Sequence, residues 1–150
     1  MTNPELFHSM VERYDRKSFT HKYIFGFTFR HNVYAVKADS SVLPSVLCLD
    51  KASRGAGYAL RFCPTTAIKM ALLKGAEVLC SEQFFNEQVA SCKYNRGEIF
   101  EKLVTESFGQ TWKKDNVPFW KDGDVTANGI AYQVKFEKAS FITEKTLASI

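Results

Sequence analysis

The chain has 150 residues, of which 45% are hydrophobic, and it carries a formal net charge of +4. That length and apolar content suffice for one packed domain and exclude a disordered chain. The mild positive charge suits a polyanionic partner without demanding one, and no apolar run approaches the length of a membrane span.

Residues Pro4 to Lys17 predict an amphipathic helix with Leu6, Phe7, Met10, Val11 and Tyr14 on one side. Tyr23, Phe25, Phe27 and Phe29 then alternate strictly, which predicts a strand, and Val33 to Ala38 returns after Arg30-His31-Asn32. A row of aromatic side chains on a sheet either stacks bases or fills a core. The mixed apolar partners Val36 and Ala38 assign this one to the core.

Leu43-Pro44 breaks the run, and strands are expected over Ser45 to Leu49 and Gly57 to Phe62. The loop between them carries Lys51 and Arg54, candidate phosphate contacts, but it lacks the P-loop pattern and better fits an ordinary hairpin loop. Pro64-Thr65-Thr66 opens a helix through Ile68, Ala71, Leu72 and Leu73 that stops near Gly75. A second helix begins at Ser81, with Phe84, Phe85 and Val89 at helical spacing. Asn95 is placed to cap a third, and Glu98 completes a capping box with it. Ile99, Phe100, Leu103, Val104 and Phe108 form its apolar stripe, Glu101 lies on the stripe's edge, and Gly109 supplies the stop.

A strand is expected over Thr111 to Lys114, where Lys113 and Lys114 are either phosphate contacts or solvated charges. Val117 to Ala127 and Ile130 to Lys138 then form a hairpin about Asn128-Gly129, because a tight type I′ turn needs positive φ at both central residues. The register places Val125 opposite Tyr132, so Val125, Tyr132, Val134 and Phe136 share an apolar face. Asp122, Asp124, Gln133, Lys135 and Glu137 share the other face. Such a polar face either holds a hard divalent cation through oxygen ligands or is a solvated surface laced with salt bridges, Asp122 to Lys135 for example. A final helix is expected over Ser140 to Ile150.

Cys48, Cys63, Cys80 and Cys92 show no C-x-x-C pairing, and His8, His21 and His31 have no zinc-type spacing with them. The first seventeen residues lack the hydrophobic centre of a signal peptide, so reduced, structural thiols in a cytoplasmic protein are expected.

Asp124 followed across the hairpin by Gln133-Val134-Lys135 resembles the D…(D/E/Q)-x-K signature of the PD-(D/E)XK nuclease superfamily. Upstream, Asn95-Arg96-Gly97-Glu98-Ile99-Phe100-Glu101 resembles the family's first core helix, which often carries a glutamate in a G-x-x-x-E setting. The resemblance covers residues 95–150. It implies a mixed α/β chain with a restriction-endonuclease-like αβββα core, preceded over residues 1–94 by an antiparallel, hairpin-rich half. The strand that usually ends the core is absent, so an N-terminal strand takes its place or the sheet is smaller.

The same resemblance implies a Mg²⁺- or Mn²⁺-dependent endonuclease acting on DNA. Asp124 would be the main metal carboxylate, Gln133 and the Val134 carbonyl further oxygen ligands, Lys135 the residue that orients or deprotonates the water, and Glu101 the acid completing the site. Two departures stand out: Gln133 is a neutral amide where the family usually has Asp or Glu, and no proline precedes Asp124. Glu137, two residues beyond Lys135, is either a compensating acid or a surface charge. The alternative is a catalytically silent nuclease-like module that binds nucleic acid or protein. Nucleases of this size often pair to cut two strands, so a homodimer is a candidate assembly, and phage or mobile-element settings are where small relatives occur.

Overall fold

A computed structural model describes residues 2–18, 21–52, 57–112, 125–138 and 141–148. Helix α1 (Asn3–Lys17) is followed by strands β1 (Lys22–Phe29) and β2 (Asn32–Asp39), a helical turn α2 (Leu43–Val46), and strands β3 (Leu47–Lys51) and β4 (Tyr58–Phe62). Helix α3 (Thr66–Leu72), strand β5 (Ala76–Ser81), and helices α4 (Glu82–Ser91) and α5 (Arg96–Ser107) come next. Strands β6 (Val125–Ala127), β7 (Ile130–Phe136) and β8 (Phe141–Thr143) and helix α6 (Glu144–Ala148) complete the described elements.

The helix starts follow their capping chemistry. Thr2 accepts from the Glu5 amide and Pro4 sits in the first turn of α1, while Arg16 and Lys17 occupy the last turn and complement the helix dipole. Thr65 and Ser81 cap α3 and α4 in the same way. Asn95 and Glu98 form a full reciprocal capping box on α5.

The strands make a five-stranded mixed sheet in the order β5-β2-β1-β7-β6 and a three-stranded antiparallel sheet in the order β3-β4-β8. β1 is the centre. It pairs antiparallel with β2 and parallel with β7, where Tyr23 faces Gln133 and Phe25 faces Lys135. A strand from the N-terminal half therefore occupies the place beside β7, and the two sequence segments share one sheet. β8 joins them a second time by pairing with β4.

Both faces of β1 are covered. Tyr23 and Phe25 enter a core with Met10, Val11 and Tyr14 of α1 and with Leu60 and Phe62 of the second sheet. Tyr23 stacks on Phe25 at 5.5 Å and Phe25 on Phe62 at 4.8 Å between ring centroids. Ile24 enters the other core, with Ile99, Phe100 and Val104 of α5 and Tyr132, Val134 and Phe136 of β7. Two-sided burial explains the near-continuous apolar run of this strand. Each of these large side chains contributes about 1.5–3 kcal/mol on burial.

Several expectations need correction. No strand is expected between the helix stop near Gly75 and the helix start at Ser81, yet β5 pairs there with β2 as an edge strand with a register shift at Val33/Tyr34. Thr111 and Trp112 lie outside any strand, and Lys113 and Lys114 lie outside the described residues. The expected final helix begins instead with β8, because Phe141 to Thr143 find an open partner edge on β4. Cys48 and Cys63 are joined in a disulfide rather than reduced, because β3–β4 pairing brings their Cα atoms to 6.3 Å, while Cys80 and Cys92 are free. Among the described residues no helix is long and apolar enough to cross a membrane.

Candidate functional site

The β6–β7 hairpin forms as its turn chemistry dictates. Asn128 and Gly129 have φ of 53° and 78°, and Val125 pairs with Tyr132. Alternation along β7 then sends Tyr132, Val134 and Phe136 toward α5 and Gln133 and Lys135 toward α1.

That second face is where the structure departs from a solvated surface. Gln133 is 0% exposed and Lys135 is 7% exposed, beside Tyr23 and Phe25 and beneath α1. The sequence shows their shared face but not its cover, which comes from a helix distant in the chain. Lys135 Nζ lies 5.6 Å from the centroid of the Tyr14 ring, within cation–π range. Tyr23 OH donates to Asp15 Oδ1 at 3.2 Å, and His21 Nδ1 is 3.5 Å from the same oxygen. Burial pushes the Tyr23 phenol well above the usual tyrosine range, so at neutral pH it remains a hydrogen-bond donor. Asp15, Tyr14 and Tyr23 were missed as neighbours of the site, because only the β1–β7 pairing and the seat of α1 bring them there.

Glu101 stands on α5, half-buried, and its backbone carbonyl accepts from Thr105 Oγ1 at 2.8 Å. Since α5 packs on the Tyr132–Val134–Phe136 side, its helix lies on the face of β7 opposite the Gln133 and Lys135 side chains. Val134 contributes its side chain to that α5-side core. Glu137 is not a solvated surface charge but half of a largely buried ion pair. Its Oε1 is 2.6 Å from Lys69 Nζ, with side-chain exposures of 10% and 14%, and its Oε2 accepts from the Thr28 amide at 3.3 Å.

Asp124, Asp122, Arg54, Lys113 and Lys114 lie outside the described residues, and Lys51 is exposed at the end of β3. Among the described residues no three His, Cys, Asp or Glu side chains are grouped to hold a metal ion. On the α1-side face the described oxygen donors are the neutral Gln133 amide and the Asp15 carboxylate, which already accepts from Tyr23 OH, so the proposed cation at Gln133 calls for a further carboxylate from outside the described set. No protein-family model, no curated protein and no solved structure matches the chain.

Proposed function

We propose that the chain is a divalent-metal-dependent nuclease that hydrolyses DNA phosphodiester bonds on the α1-side face of β7. The observation that carries this is the burial of Gln133 and Lys135 together on one face of a core strand. A buried amine and a buried amide are costly in place of apolar side chains, and such placements cluster at functional sites. The parallel placement of β1 beside β7, with α1 on one face and α5 on the other, supports a restriction-endonuclease-like core in which an N-terminal strand substitutes for the usual last one.

In this reading Asp124, the Gln133 side-chain oxygen and the Val134 carbonyl would hold Mg²⁺ or Mn²⁺, which would supply Lewis-acid polarisation of the phosphate. Lys135 orients the attacking water and offsets charge that develops on the phosphate oxygens. Glu101 is the proposed acid completing the set, carried on the helix that contacts both strands of the hairpin from the opposite face of β7. Lys51, Arg54, Lys113 and Lys114 are the proposed contacts to the DNA backbone.

The test is cleavage of supercoiled plasmid and of linear, branched and single-stranded oligonucleotides with Mg²⁺ or Mn²⁺. Metal-dependent cleavage that disappears in Asp124→Asn and Lys135→Met is the expected result. A folded wild-type protein that cuts none of these substrates with either metal overturns it. The neutral Gln133 favours a second reading, a silent nuclease-like module that binds DNA or protein, for which DNA binding without cleavage is the signature.

A further inference from the structure

Five arginines fall among the described residues, and four of them have partners. Arg16 is 4.0 Å from Glu12, Arg61 is 2.6 Å from Asp50, Arg96 donates to Asn86 at 3.0 Å, and Arg30 lies 5.1 Å over the Phe29 ring. Arg13 is the exception. It is half-buried on α1, its Nε is out of contact with water, and that Nε has no hydrogen-bond acceptor. No ion pair or ring contact engages it among the described residues. A donor withdrawn from water without an acceptor costs free energy, which is regained when the side chain swings out to meet an acceptor.

The position of this cation matters. Arg13 directly precedes Tyr14, whose ring lies over Lys135 Nζ, so it belongs to the helix that covers the Gln133–Lys135 face. A guanidinium presents a planar fork of donors that matches two oxygens of a phosphate, and it holds its charge at any physiological pH. We infer that Arg13 is a phosphate-binding residue of α1 that takes a backbone phosphodiester of nucleic acid. The choice of nucleic acid as the ligand rests on the nuclease reading, whereas the presence of an anion site at Arg13 does not.

The experiment measures binding of labelled duplex and single-stranded oligonucleotides to the full chain by fluorescence anisotropy in EDTA, across a salt series. EDTA removes cleavage from the readout. Arg13→Gln is expected to bind about tenfold more weakly, the loss of one charge-assisted contact. Its plot of log affinity against log salt should flatten by about one unit, the signature of one lost phosphate contact. Arg13→Lys keeps the charge but not the fork, so it should retain the slope with a smaller loss of affinity, and it also serves if the glutamine variant fails to fold. Inorganic phosphate, balanced with chloride for ionic strength, should compete in the wild type and not in Arg13→Gln.

A folded Arg13→Gln protein with unchanged affinity and slope overturns the inference. So does a wild type that binds no oligonucleotide, even if free phosphate binds at Arg13. Restoring Mg²⁺ separates the two proposals: Arg13-dependent binding without cleavage preserves this one and sinks the nuclease, whereas cleavage with Arg13-independent binding does the reverse.

Discussion

Lys135 Nζ sits 5.6 Å from the centre of the Tyr14 ring, so α1 covers a polar residue of β7. The contact joins two distant segments, and it decides what Lys135 can do. An amine beneath an aromatic face is held in place and shielded from bulk water, conditions under which it acts strongly on a nearby charge.

Replacing that ring separates positioning from packing. On the proposed nuclease reading, Tyr14→Phe keeps the aromatic face and is expected to cleave plasmid at close to the wild-type rate. Tyr14→Leu removes it, and kcat should fall by about tenfold, a loss within the cation–π range for a desolvated pair. Both proteins should fold, the leucine variant with about 1–3 kcal/mol less stability in urea. Full kcat in Tyr14→Leu would remove Tyr14 from the site.

Gly26 is where the second core meets the sheet. A Cβ at that position would come within 2.3 Å of Cε1 and Cζ of Phe100, closer than packed atoms tolerate. Gly26→Ala should therefore destabilise the protein by about 1–3 kcal/mol, seen as a lower urea midpoint at unchanged slope. Adding Phe100→Leu should recover part of the loss, because the smaller side chain leaves room. If the alanine variant is as stable as the wild type, α5 does not seat on β1 as described.

These two contacts show what the sequence reports and what it withholds. The Asn128-Gly129 turn, the Val125–Tyr132 register and the Asn95–Glu98 capping box are local, so their chemistry is written in adjacent residues. The alternation of Gln133 and Lys135 against Tyr132 and Val134 is equally local. Their burial is not, since it depends on α1 packing across β1. Periodicity tells which residues share a face, never what covers it. The β5 strand escaped because it lies on a sheet edge with Glu77 and Val78 both exposed, and β8 because three residues carry too little pattern to outweigh the helix after them. Glu101 was legible as a boundary residue, but not the face of the sheet on which its helix would sit.

The Lys69–Glu137 pair tests the assignment of Glu137 to structure rather than chemistry. With both side chains largely out of water and 2.6 Å apart, removing one partner strands the other. Lys69→Met and Glu137→Gln should each cost about 3 kcal/mol or more, and the double variant should lose clearly less than their sum. Glutamine retains an acceptor for the Thr28 amide and hydroxyl, so the cycle reports the ion pair rather than those bonds. Additive losses would show that the pair is not formed in solution.

Tyr23 makes stability depend on alkaline pH. Its phenol is buried and bonded to Asp15, and the folded protein holds the proton above the ordinary tyrosine value of about 10. Above that pH the unfolded chain releases the proton and the folded chain keeps it, so the unfolded state binds fewer protons and the unfolding free energy falls as pH rises. Below about pH 10 both states are protonated and this contribution is flat. Tyr23→Phe should remove the alkaline decline attributable to this residue and cost about 1 kcal/mol at neutral pH, through loss of the bond to Asp15. Urea unfolding of both proteins at about pH 8 and about pH 11 checks it, with a smaller fall expected for the phenylalanine variant. An equal fall in the two proteins would mean that Tyr23 ionises in the folded state as it does in the unfolded one, and that α1 does not seal this end of the sheet from water.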